Sequence, residues 1–227
     1  MGTTHSTDHG TSTAAIIKHS LAKTKGCKTC SKTTKTVTIP GETTQLAVLA
    51  RLPRRELASV GETDGVYACV FEQVVAYINK LRADHGADPL IMTNDMNQGA
   101  QRDILFIQCE RKHSHDPGLG QNLAWTWGGN QFDGPVSAQA VVNQLKAMVD
   151  GWYNEGKNYK YKLEYQQNPG TGHFTQLVWK ASKNIGLGFT YTTCEGSPGI
   201  AFAANFSPPG NVTNYGEFPK NVGELIS

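Results

Sequence analysis

Apolar residues return every three or four positions along 70–81, where Val70, Val74, Ile78 and Leu81 share one side of a helix and Phe71 and Tyr77 flank them. Asp64 is placed to cap this helix and Gly86 to end it. The same spacing predicts a second helix over 95–109, with Met96, Ala100, Ile104 and Ile107 on one face. A third is predicted over 137–153, opened by Pro135 and Ser137 and burying Val141, Leu145, Met148 and Trp152. Further on the period falls to two. Residues 185–191 and 199–206 flank the turn formers Glu195-Gly196-Ser197-Pro198 and predict a hairpin. Ile200, Phe202, Ala204 and Phe206 alternate, which predicts one half-buried face, and Leu123, Trp125 and Trp127 alternate in a third strand. Helices and strands segregated in this way predict an α+β domain. No internal repeat is visible.

The pattern fails before residue 65. Residues 1–36 are Thr, Ser, Gly and Lys with almost no large apolar side chains, so they cannot bury enough surface to offset the entropy of ordering. Gln45 to Leu57 has the makings of a short helix, interrupted by Pro53. The chain therefore divides into a basic, mostly disordered tail over 1–65 and one globular domain over 66–227, a size that supports a single core.

Charge follows the same division. The tail carries nine Lys/Arg against five Asp/Glu and the domain twelve against fourteen. A whole-chain charge of +2 gives no global basic field, so no nucleic-acid partner is expected. A basic tail on a mildly acidic domain suits an anionic lipid surface. No stretch reaches the roughly 20 apolar residues that span a bilayer. The best candidate for an export signal, Ala14-Ala15-Ile16-Ile17, stops at Lys18, so no export is expected. The cysteines are five: Cys27, Cys30, Cys69, Cys109 and Cys194. An odd number, with three in the domain, does not read as a disulfide framework. It predicts a reducing compartment, with Cys69 and Cys109 as apolar core residues. Cys27 and Cys30 form a lone CxxC without further ligands for zinc, and read as a solvated pair in the tail.

Four segments mix Gly, His, aromatic and amide residues beyond what a core requires: His113-Ser114, 120–124 (GQNLA), 152–155 (WYNE) and 172–179 (GHFTQLVW). The run GHFTQLVWKAS at 172–182 resembles the first signature of the CAP superfamily, the group of cysteine-rich secretory, antigen 5 and pathogenesis-related group-1 proteins. NFSPPGNV at 205–212 resembles the second. Asn79, Arg82 and Pro89-Leu90 resemble the family's opening HNxxRxxxGxxPL. The resemblance covers 66–227 and implies a three-layer α-β-α sandwich with a small central antiparallel sheet.

It also implies a cleft in which two histidines and two acids converge. The histidines fall on His113 and His173 and the second acid on Glu155. The first acid belongs to a GENLA motif, and this chain has Gln121 there. Two imidazoles and a carboxylate can hold Zn²⁺, with His113 and His173 as its ligands here. Gln121 supplies no charge, so weaker metal affinity and weaker general-base chemistry are expected. The alternative is a hydrogen-bonded network of His113, Gln121, Glu155 and His173 without metal. Trp125, Trp127, Trp152 and Trp179 read as core rather than as a ligand box. Ala204 stands where the family usually has a cysteine, so that family disulfide is missing. With the tail NVTNYGEFPKNV at 211–222, this makes the chain most similar to the Golgi-associated plant pathogenesis-related branch.

The N-terminus, Met1-Gly2-Thr3-Thr4-His5-Ser6, fits the N-myristoylation pattern. One acyl chain binds membranes marginally. Lys18, Lys23, Lys25, Lys28, Lys32 and Lys35 add a second signal, at about 1 kcal/mol each near an anionic leaflet, and Cys27 and Cys30 are palmitoylation candidates. These features predict a lipid-anchored, non-enzymatic protein on the cytosolic face of Golgi or plasma membrane. The resemblance implies anionic phospholipid, sterol or fatty acid as ligand and is compatible with a homodimer. Two alternatives stand beside it. One is a metal-assisted hydrolase using His113, Glu155 and His173, although no nucleophile motif is present. The other is an extracellular defence or venom-allergen-like effector, for which the sequons at Asn205 and Asn211 would become glycosylation sites.

Overall fold

The computed structural model describes residues 65–114, 118–128, 138–162 and 169–226. Helix α1 (Gly65–Ala83) leads through strand β1 (Ile91–Met92) into α2 (Asn94–Ile107). Strand β2 (Gly120–Trp127) precedes α3 (Ala138–Asn154), a 3₁₀ turn (Glu155–Asn158) and the short α4 (Gly172–Leu177). The hairpin β3 (Asn184–Cys194) and β4 (Ser197–Ser207) follows, and α5 (Glu217–Asn221) closes the chain. The proposed caps Asp64, Pro135 and Ser137, the short helix over 45–57, the acylation sites Gly2, Cys27 and Cys30 and the six tail lysines lie outside the described residues.

The three long helices appear where the periodicity puts them. Val141, Leu145, Met148 and Trp152 of α3 are all buried. In α2, Ala100, Ile104 and Ile107 are buried, and Thr93 caps the helix by accepting the Met96 N–H. The hairpin turns through Glu195 and Gly196, both at positive φ, so the turn is two residues long and the strands extend to Cys194 and Ser197.

The α+β sandwich is present, with two corrections to its sheet. Strand order is β1-β3-β4-β2; β2, β3 and β4 are antiparallel, but β1 joins β3 in parallel, so the sheet is mixed. Strand β4 is also buried on both faces rather than one. Ile200, Phe202, Ala204 and Phe206 join Ile185, Leu187 and Phe189 against α1 and α3. Ala201 and Ala203 pack on the other side against Ile104 and Ile107 of α2. Small residues make that second layer fit: a Cβ on Gly186 or Gly188 would collide with the α2 backbone at Met96 or Ala100. Trp152 and Trp179 are core residues as expected, whereas Trp125 and Trp127 are half-buried.

The cysteines are the third correction. Cys109 is exposed, not core, and is joined to Cys194 by a disulfide with 5.7 Å between the Cα atoms. Cys69 is buried and is also disulfide-bonded. Disulfides persist in oxidising compartments, so the cysteine count does not support a reducing one. Pairing 85 residues apart leaves no mark in local spacing.

The opening motif is architectural. Asn79 exchanges two hydrogen bonds with the backbone of Leu90, its Nδ2 donating at 3.1 Å and its Oδ1 accepting at 2.8 Å. Arg82 is fully buried and its guanidinium donates to the carbonyls of Asp88, Leu177, Trp179 and Ser182. Desolvation lowers its pKa to about 10, which still leaves it charged at neutral pH. One buried cation thereby fixes α1 to the chain leaving α4.

Candidate functional site

Glu155 begins the 3₁₀ turn just after α3, and His173 lies in the first turn of α4. The carboxylate accepts three hydrogen bonds from that turn. Oε1 accepts from His173 Nδ1 at 2.7 Å, and Oε2 from the backbone N–H groups of His173 at 2.9 Å and Phe174 at 3.3 Å. A carboxylate at a helix start satisfies unpaired N–H groups and complements their partial positive charge. A carboxylate only accepts, so neutral His173 carries its proton on Nδ1 and keeps a free lone pair on Nε2. Asn122 of β2 donates to the His173 carbonyl at 2.9 Å, and Trp152 stacks on the ring at 6.2 Å.

His113 sits in the exposed segment after α2. Its Nδ1 lies 3.2 Å from Gln121 Oε1, which also accepts the Ser114 backbone N–H at 2.9 Å. The Gln121 amide nitrogen points the other way, toward Ser114 Oγ at 2.8 Å, Asn205 Oδ1 at 3.0 Å and Asp103 Oδ2 at 3.2 Å. Asn205 Nδ2 in turn donates to the same Asp103 oxygen at 2.7 Å. A backbone N–H can only donate and a carboxylate only accept, so this amide has one orientation. His113 must then donate from Nδ1 to Oε1.

The four residues expected in one cleft therefore form two pairs. Gln121 and Asn122 are consecutive on β2, and successive strand residues face opposite ways. Gln121 turns to Asp103 on α2, and Asn122 turns to His173 on α4. An open cavity of about 240 Å³ is lined by His113, Ser114, Gln121, Gln176, Gly210 and Asn211, among others, but by neither Glu155 nor His173. Its floor is where the two signatures meet. Buried Gln176 accepts the Gly210 N–H at 2.8 Å, Thr175 donates to Asn211 at 2.6 Å, and Ser182 donates to the Pro208 carbonyl at 2.8 Å.

Among the described residues, no three of His, Cys, Asp and Glu come together as a metal-ligand set. The donor chemistry agrees, since the Gln121 oxygen already accepts two N–H groups and its nitrogen cannot bind a cation. The residues do not fit a zinc centre built on all four cleft positions. Sequence reasoning also missed Asp103, whose signal was an acid three residues from Ala100 and next to Ile104, on the shoulder of the buried face of α2.

The profile of CAP, the cysteine-rich secretory protein family, matches residues 75–206, more than half of the chain. This protein is a member of the CAP family. Human Golgi-associated plant pathogenesis-related protein 1 is 35% identical over 66% of this chain and 90% of its own length. Pathogenesis-related protein 1C of Nicotiana tabacum is 33% identical over 59% of this chain and 72% of its own. Among solved structures, Na-ASP-1 matches this CAP domain with a TM-score of 0.50 at 20% identity, over 64% of this chain and 40% of that one, a likeness of fold. The CAP sequon at Asn205 is corrected by the structure. That side chain is 1% exposed, inside β4, and donates to Asp103, so it offers no acceptor amide in the folded domain. Asn211 is half-buried, with its amide nitrogen donating to the Gly172 carbonyl at 2.9 Å.

Proposed function

We propose that this CAP protein is a non-enzymatic binding module that works at a membrane surface, held there by an acylated basic N-terminal segment and taking anionic phospholipid, sterol or fatty acid as ligand. The observation that carries the non-enzymatic part is the Gln121 amide. Where hydrolysis would need a carboxylate directly on His113, the chain has a neutral amide that also bonds Ser114, Asn205 and Asp103, and the nearest acid stands one residue further away. The membrane part is supported by Gly2 in an acylation pattern, by the run from Lys18 to Lys35, and by the Golgi association in the name of the human relative. No helix among the described residues is long and apolar enough to cross a bilayer.

The test is co-sedimentation of the myristoylated full chain with neutral and with anionic vesicles, beside Gly2→Ala. The wild type should pellet with anionic vesicles at low salt, and Gly2→Ala should stay largely in the supernatant. Equal pelleting of the two would end the anchor reading.

The Cys109–Cys194 disulfide favours a second reading, an exported effector like the venom allergens and plant pathogenesis-related proteins among the relatives. Mass spectrometry of the natural protein under alkylation separates the two. Free Cys109 and Cys194 with acylated Gly2 fit the cytosolic face, whereas an intact disulfide on unacylated protein in the medium fits export.

A further inference from the structure

We propose that Asp103 has taken over as the acid of the His113 half of the cleft, matched to Gln121, which carries its influence to His113. The observation is a continuous chain of hydrogen bonds whose direction is fixed at both ends. Asp103 Oδ2 accepts from Asn205 Nδ2 and faces Gln121 Nε2, whose two protons it shares with Ser114 Oγ and Asn205 Oδ1; Gln121 Oε1 accepts from Ser114 N and His113 Nδ1, and the His113 side chain, so bonded, lines the cavity. Asn205, 1% exposed in the second signature, locks the middle by donating to Asp103 and accepting from Gln121.

The pairing explains why an acid does not stand at 121. Glutamate has the shape of glutamine, so Gln121→Glu would replace the donor Nε2 by an oxygen about 3.2 Å from Asp103 Oδ2 and 3.0 Å from Asn205 Oδ1. Acceptor would face acceptor and carboxylate would face carboxylate, an arrangement that disfavours having both charged. The negative charge of this half has moved one hydrogen bond deeper, onto α2. A cation in the cavity would meet an amide oxygen already engaged by two N–H groups. The assignment holds whether or not the protein sits on a membrane.

Four full-length proteins test it at neutral pH: wild type, Asp103→Asn, Gln121→Glu, and the double variant. Thermal unfolding is followed with and without ZnCl₂. Gln121→Glu should lower Tm by roughly 3–10 °C, the size expected for an unmatched partly buried polar group in a domain of this length. Asp103→Asn should cost less, because the amide oxygen it introduces still accepts from Gln121. The double variant should return to within about 2 °C of Asp103→Asn, since the amide at position 103 can then donate to the carboxylate at position 121. Zn²⁺ should leave the wild type unchanged and raise Tm of Gln121→Glu, whose facing carboxylates accept a cation between them. If Gln121→Glu does not accumulate folded, recovery of folded protein in the double variant is the same positive result. A Gln121→Glu protein as stable as wild type, or one that Asp103→Asn does not rescue, overturns the proposal, as does Zn²⁺ stabilisation of the wild type equal to that of Gln121→Glu. The wild type gives an independent readout by ¹⁵N NMR of the His113 ring. Neutral His113 should be protonated on Nδ1; protonation on Nε2 would break the link from Gln121 Oε1 to the ring and would overturn it too.

Discussion

The two histidines of the cleft are held by opposite means. His173 is built into a helix start, where a single carboxylate, Glu155, accepts hydrogen bonds from its ring N–H and from two backbone N–H groups. His113 lies on an exposed segment beyond a helix end, held by a neutral amide whose charge partner is one residue further away. A direct carboxylate–imidazole hydrogen bond makes ring and backbone one unit. A relayed geometry leaves the ring at the end of a chain of weaker bonds, and its position depends on what fixes the segment. That anchor is the Cys109–Cys194 disulfide, four residues before His113, which ties the end of α2 to the tip of the β3–β4 hairpin. The same fold thus presents one imidazole held by local bonds and another on a segment tied down by a distant cross-link.

Removing the cross-link should break that comparison hardest. Cys109→Ser with Cys194→Ser opens a loop of 85 residues and should cost about 3–4 kcal/mol of stability. Urea denaturation measures the total. Amide hydrogen exchange locates it: protection should fall over 108–114 and at the hairpin tip, while 172–177 keeps its protection. Equal loss in both segments would show that the halves are not held independently.

The second test acts on the other half. Glu155→Gln keeps the shape of the side chain and removes the charge that three donors share. Loss of a charged, partly buried hydrogen-bond set predicts about 1.5–3 kcal/mol. The cost should appear at the start of α4 and leave His113 undisturbed, which a ¹H–¹⁵N spectrum of the histidine rings would show. A shift of the His113 resonances as large as that of His173 would contradict the division.

What the sequence made legible follows the physics of each segment. Helix α3 was visible because Val141, Leu145, Met148 and Trp152 are large and recur over about three turns. The second buried face of β4 was not, because Ala201 and Ala203 are too small to signal burial, and what covers them, α2, comes close through glycines on a different strand. Helix α4 is six residues long, too short for a period, and showed only as a motif. Motifs named His113, Gln121, Glu155 and His173, and the structure joins them as two hydrogen-bonded pairs, His113 with Gln121 and Glu155 with His173. Their separation into pairs, and the presence of Asp103, depend on which way β2 faces at two consecutive residues. No spacing rule gives that.

The smallest effect sharpens the comparison most. His113→Ala removes an exposed ring whose one side-chain hydrogen bond among the described residues is to an oxygen that keeps the Ser114 N–H, so its stability should change by less than about 0.5 kcal/mol. His173→Ala leaves Glu155 with its two backbone donors but without its shortest bond, and removes the stack on Trp152, so about 1 kcal/mol is expected. Chemical denaturation of the two variants side by side gives the ratio directly. A His113→Ala protein with native stability then isolates function from folding. If ligand binding falls in that variant, the free Nε2 of His113 is part of the recognition surface. If binding is unchanged there and lost in His173→Ala, the rigid half carries it, and the relayed half is a structural end-piece of β2.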